Sequence, residues 1–126
     1  MKKIIITKTA PAPIGPYSQA ILKGNTLYTS GQIAINPTNG HLVLDDITLE
    51  THQVMKNMEA VLKEAQMTFN DVVKATIFIT AMNNFSEINA VYGSYFNDEM
   101  APARETVQVS KLPKNVNVEI SMIAVK

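Results

Sequence analysis

The sequence predicts an α+β fold in which two helices cover one face of a single sheet. An apolar stripe with helical spacing runs through residues 54–65 and a second through 84–96, while the segments around them alternate with the two-residue period of strands. Strands and helices interleaved in this way, with only two helices, suit a sheet covered on one side.

Residues 3–7 read as a short strand. The stretch from Ala10 to Pro16 that follows holds three prolines and cannot join a ladder or a helix, because proline has no backbone donor. Residues 20–23 and 26–30 are strand candidates joined by Gly24-Asn25, a two-residue hairpin signal. Residues 32–35 are a candidate extension of the second strand, and Asn36-Pro37-Thr38-Asn39-Gly40 is a turn cluster.

Val54, Met55, Met58, Val61, Leu62 and Ala65 share one helix face, and Leu49 extends that face toward a start capped by Asp46 or Thr48. Residues 72–80 alternate Val73, Ala75, Ile77 and Ile79 against Lys74, Thr76, Phe78 and Thr80. The second helix, residues 84–96, carries Phe85, Ile88, Tyr92, Tyr95 and Phe96 on its apolar face. Residues 104–109 and 116–125 alternate again, separated by the turn Lys111-Leu112-Pro113-Lys114-Asn115. No linker or repeat divides the chain, so residues 1–126 are expected to form one domain. Two helices leave the second face of the sheet bare, and covering it with another copy of the chain is the economical solution.

Lys plus Arg and Asp plus Glu both number 11, so no net positive charge draws the chain to nucleic acid or to an anionic membrane. The absence of cysteine excludes disulfides, thiolate metal sites and a cysteine nucleophile. Lys2 and Lys3 before Ile4-Ile5-Ile6 mimic the start of a signal peptide, but the run is too short and Thr7, Lys8 and Thr9 end it. A cytoplasmic protein is the expectation. His41 and His52 lack the spacing of a zinc helix, and Gly15, Gly24, Gly31 and Gly40 are too scattered for a phosphate loop.

Arg104, Thr106 and Gln108 share one strand face, opposite Glu105, Val107 and Val109; Asn117, Glu119 and Ser121 share another. If these strands pair as a hairpin around Pro113, the two polar faces coincide. Arg104 and Glu119 then form either a cross-strand ion pair or a carboxylate receptor beside an acid that orients water. Spacing alone favours the ion pair. Tyr17, Ser30 and Asn89 need no function when taken singly.

Taken together, Ile14-Gly15-Pro16-Tyr17-Ser18-Gln19-Ala20, Thr29-Ser30-Gly31-Gln32-Ile33, Pro102-Ala103-Arg104, Lys111-Leu112-Pro113 and Val118-Glu119-Ile120 resemble the signatures of the RidA (YjgF/YER057c/UK114) family, in order and over nearly the whole chain. The resemblance implies a chorismate-mutase-like α+β fold, assembled as a homotrimer with ligand sites between subunits. It also implies 2-iminobutanoate/2-iminopropanoate deaminase activity, which releases a 2-keto acid and ammonia. Matched onto this chain, Arg104 would bind the substrate carboxylate and Glu119 would position the attacking water and help move its proton. Tyr17 would wall the pocket from a neighbouring subunit, Ser30 and Gly31 would line it, and Asn89 would support it by hydrogen bonding. Thr106 stands where the family often has cysteine and would act through its backbone or hydroxyl. Glu105 follows the arginine where a small residue is common, and Ser121 replaces a second acid. Hydrolysis of an already electrophilic imine calls for no metal or organic cofactor.

Two other classes compete with an imine hydrolase. A non-catalytic regulatory module would use the same arginine to hold a small metabolite. RNA cleavage, attributed to some relatives, fits poorly with zero net charge, no histidine pair and few aromatics beside basic residues.

Overall fold

Helix α1 (Ile47–Glu64) forms where the longest apolar stripe predicts it. Of the two candidate caps, Asp46 caps it, its Oδ1 accepting from the Leu49 amide at 2.7 Å. Leu49 does not extend the buried face. It is 48% exposed, and Glu50 is buried instead. The cause is helical geometry: residue 50 lies about 40° from Val54 around the axis, residue 49 about 140°. The structure, a computed structural model, describes residues 1–126.

Six strands form one mixed sheet: β1 (Lys3–Ile5), β2 (Ala20–Lys23), β3 (Thr26–Thr29), β4 (Val72–Ile79), β5 (Ala103–Gln108) and β6 (Val118–Val125). The second helix, α2 (Phe85–Gly93), is shorter than expected, though Tyr95 and Phe96 beyond its end still pack against the core. The strand order is β1-β2-β3-β6-β4-β5, and both helices lie on one face, as the sequence predicts. The predicted β2–β3 hairpin forms, with Gly24 at φ +58° in its turn.

The hairpin that would bring the polar faces of the last two strands together does not form. β4 lies between them, parallel to β5 and antiparallel to β6. The physical reason is composition. β5 carries Arg104, Glu105, Thr106 and Gln108 on its two faces and suits a sheet edge. β6 buries Val118, Ile120, Met122 and Ala124 and takes a central place.

The core lies between the helices and the row Ala75, Ile77 and Ile79 of β4 with those four β6 residues. Val73 was expected in that row but is exposed, because a register shift between Val72 and Lys74 turns Val72 inward. Residues 32–35 do not continue a strand. They make only two isolated bridges, Gln32↔Ile120 and Ile35↔Leu42, and the carbonyls of Ile33 and Ile35 accept from the Asn57 amide of α1 instead.

The opposite face carries no helix. The strand register places Ile4, Ile21, Tyr28 and Ile123 in one row across it. Ser121, Thr76 and Glu105 form the next row, and Glu119, Phe78 and Val107 the one after. Ile4, Tyr28 and Val107 are exposed on this bare face. No helix is long and apolar enough to cross a membrane.

Candidate functional site

Glu119 is the second residue of β6, and its side chain leaves the sheet on the bare face. It lies across Gly31, so close that a Cβ at Gly31 would sit 2.7 Å from the Glu119 Cδ and 2.9 Å from its Cγ, with Oε2 nearer still. Above them opens a cavity of about 340 Å³. Tyr17, Ser30, Gln32 and Glu119 supply its polar groups, and Ile14, Ile33, Ile35 and Pro113 much of its apolar wall. Ser30 is held by its hydroxyl, which donates to the Ser18 carbonyl, and by its amide, which donates to the Gln19 carbonyl at 2.9 Å. The Tyr17 hydroxyl accepts from the Ile14 amide at 3.3 Å, closing the proline loop on itself. Gln19 anchors that loop from below: its Nε2 faces the carbonyls of Thr7, Ala10 and Pro11, and its Oε1 accepts from the Thr7 amide.

Burial raises the Glu119 pKa above the ordinary carboxylate range. The sign of the stability effect follows. The native state disfavours the ionised form, so Glu119 weakens the fold at pH values above its native pKa. The penalty fades as the pH falls toward the ordinary carboxylate value, where native and unfolded chains are both protonated. Glu119→Gln is therefore expected to raise Tm near neutral pH, with the gain shrinking toward about pH 4. Thermal melts at the two pH values check this; an unchanged or lower Tm at neutral pH counts against a desolvated carboxylate.

Arg104 lies elsewhere. It is the register partner of Ala75, which is buried under the helices, so Arg104 emerges on the helix-bearing face at the sheet edge. Its Nη1 donates to Asn89 Oδ1 of α2 at 2.7 Å. Its Cζ stands 5.1 Å from the centre of the Tyr92 ring and 5.7 Å from that of Phe85. Asn89 and the two rings thus fix the guanidinium while leaving donors for a planar anion. Burial pushes the Tyr92 hydroxyl up to about 12, with the Arg104 charge opposing the shift. The Thr106 hydroxyl, on the same face of β5, is buried without a hydrogen-bond partner, as is that of Tyr92.

The predicted site residues therefore fall into two groups. Tyr17, Ser30, Gly31 and Glu119 meet at one cavity, whereas Arg104, Asn89 and Thr106 stand on the other side of the sheet. Arg104 and Glu119 form no ion pair; the one salt bridge is Lys74–Glu105 at 3.0 Å on the bare face. There Thr76 and Lys74 hydrogen-bond the Glu105 carboxylate and hold its pKa low. Between Arg104 and Glu119 lie two strand spacings sideways and three residues lengthwise, roughly 10 Å each way. A small 2-imino acid cannot bridge that distance through a sheet.

Sequence reasoning missed Glu50 and Asn57, buried polar residues of α1 whose side chains reach the backbone around the cavity. The available signal was a polar residue on the apolar stripe, since both fall on the face defined by Val54 and Val61.

A β3-α1-β4-α2-β5 path with β6 inserted between β3 and β4 defines a protein of the YjgF/L-PSP fold class, and within it a carboxylate lies across a glycine. The chain belongs to the RidA/YjgF family: the family model described as Endoribonuclease L-PSP matches residues 7–126. It is 50% identical to the RutC family protein PH0854 of Pyrococcus horikoshii, over 100% of this chain and 99% of that protein. It is 44% identical to the mouse 2-iminobutanoate/2-iminopropanoate deaminase, over 100% of this chain and 93% of that protein. The crystal structure of E. coli TdcF with bound serine superposes with a TM-score of 0.93 at 40% identity, covering 98% of each chain.

Proposed function

We propose that the chain is a 2-iminobutanoate/2-iminopropanoate deaminase that works as a homotrimer, with each site closed between two copies. The observation that carries this reading is the division of the site. A guanidinium with unused donors stands on one face of the sheet and a desolvated carboxyl beside a cavity on the other. A neighbouring copy that covers the bare face brings its own Arg104 to this chain's Glu119. The row of Ile4, Ile21, Tyr28 and Ile123 gives such a contact apolar surface to bury.

In the closed site Arg104 grips the substrate carboxylate with two parallel hydrogen bonds, and Asn89 keeps the fork in place. Ser30 and Gly31 line the reacting end, Tyr17 walls it, and Thr106 borders the arginine. Glu119 takes a proton from water as the water oxygen bonds to the imine carbon. Glu119 returns that proton to the nitrogen of the resulting carbinolamine. The carbon–nitrogen bond breaks as the hydroxyl oxygen closes to a carbonyl and gives its own proton to the freed carboxylate; the products are a 2-keto acid and ammonia. A carboxyl whose pKa burial raises suits this work, because its carboxylate is a stronger base toward water than an ordinary one.

The test uses a threonine dehydratase to generate 2-iminobutanoate in place while ammonia release is followed. Faster release in the presence of this protein is expected; no acceleration at any protein concentration sinks the proposal. A second reading, a binder of small amino or keto acids without turnover, draws on the serine bound in TdcF. Tight keto-acid binding together with an unaltered rate of ammonia release selects it.

A further inference from the structure

Among the buried polar residues of α1, Thr51 satisfies its hydroxyl within the helix, on the Ile47 carbonyl. The other two, Glu50 and Asn57, are seven residues apart on one face and reach out of it. Glu50 is fully buried. A carboxylate there is tolerated only when its oxygens are filled, and they are. Oε2 accepts from the backbone amides of Asn117 at 2.7 Å and Val118 at 3.2 Å, and Oε1 accepts from Asn117 Nδ2 at 2.7 Å. Asn57 Nδ2 donates to the carbonyls of Ile33 at 3.0 Å and Ile35 at 2.9 Å.

These bonds lie where two backbones part. Gln32 and Ile120 exchange both backbone hydrogen bonds. Continued one step, that antiparallel ladder would pair residue 34 with residue 118, and the Val118 amide points to the same edge as that of Ile120. The ladder stops. Glu50 takes the Val118 amide, Asn57 takes the carbonyls on either side of residue 34, and the Ala34 carbonyl accepts from Val43. The cavity borders this parting, lined by Ile33 and Ile35 from one backbone and by Glu119, the residue after Val118, from the other.

We infer that Glu50 and Asn57 are positioning residues that hold the two backbones apart, and that Glu50, by clamping the start of β6, sets the Glu119 carboxyl over Gly31. This rests on the deaminase reading for its kinetic consequence but not for its geometry. Because Arg104 lies across the sheet from Glu119 and touches neither Glu50 nor Asn57, loss of the Glu50 clamp should impair turnover and spare substrate capture. Both backbone amides fall on a single oxygen of Glu50, so a glutamine with its carbonyl in that place preserves them.

The experiment compares the unaltered protein with Glu50→Ala and Glu50→Gln, at a temperature well below both melts. Glu50→Ala is expected to lower kcat by about 10- to 100-fold, the scale of a misplaced catalytic group, with KM within about twofold. Glu50→Gln is expected to recover most of kcat. In a crystal structure of Glu50→Ala, Glu119 should have left its position over Gly31. Should Glu50→Ala fail to fold, Glu50→Asp, which draws the two amides back by one methylene, is read in the same way. A lower Tm with kcat unchanged and Glu119 still over Gly31 overturns the inference and leaves Glu50 a purely structural residue. If the unaltered protein gives no acceleration, the deaminase reading falls, and the crystal structure alone decides the positioning.

Discussion

Replacing Arg104 with alanine is expected to abolish accelerated ammonia release and 2-keto acid binding while the fold survives. Arg104 is exposed and its side chain hydrogen-bonds to Asn89 alone, so truncation removes one hydrogen bond and the contact with two rings. Its loss leaves a substrate carboxylate without a bidentate partner, an effect of about 2–5 kcal/mol, or roughly 30- to 5,000-fold in kcat/KM. Arg104→Lys should recover little, because a single ammonium cannot reproduce the planar fork. The proposed division of the site between copies makes a sharper result available. Arg104→Ala and Glu119→Gln chains, each inactive alone, should regain activity when unfolded and refolded together. About one interface in four in a random mixture then joins an intact Arg104 to an intact Glu119. Persistent inactivity of mixtures shown to contain both chains would falsify a site shared between copies.

Gly31→Ala carries the second large effect. Gly31 does not occupy the left-handed backbone region, so alanine is tolerated there conformationally. What it lacks is room: the new methyl group meets Glu119 from Cγ to the carboxyl oxygen. The whole carboxyl arm must swing away, and kcat is expected to fall about 100-fold. Stability should change by much less, since an arm displaced toward solvent is relieved of the burial that raises its pKa. Steady-state kinetics beside a thermal melt separates the two. Full activity in Gly31→Ala would show that Glu119 need not lie over Gly31 to function.

The two residues on which the proposed site turns were visible in the sequence. Arg104 and Glu119 stood out as charges within alternating strands, and the family-like segments around them supplied roles that spacing alone did not. The hairpin on which their meeting depended does not form, because neighbours in sequence need not be neighbours in a sheet. β4 separates them. Glu50 and Asn57 went unnoticed because a helix stripe is read by its apolar members, whereas the partners of these two lie 67 and 24 residues away along the chain.

Periodicity, the Asp46 cap, the Gly24-Asn25 turn and the prolines are local, acting through neighbouring backbone torsions and the facing of side chains along one element. They determined two helices, the strands and the sheet covered on one side. Strand order, the opposed faces of Arg104 and Glu119, and the parting of residues 32–35 from β6 depend on which distant segments satisfy each other's backbone groups. Only the tertiary structure decided those, because a strand's hydrogen-bonding edge is filled by whichever partner buries its side chains best.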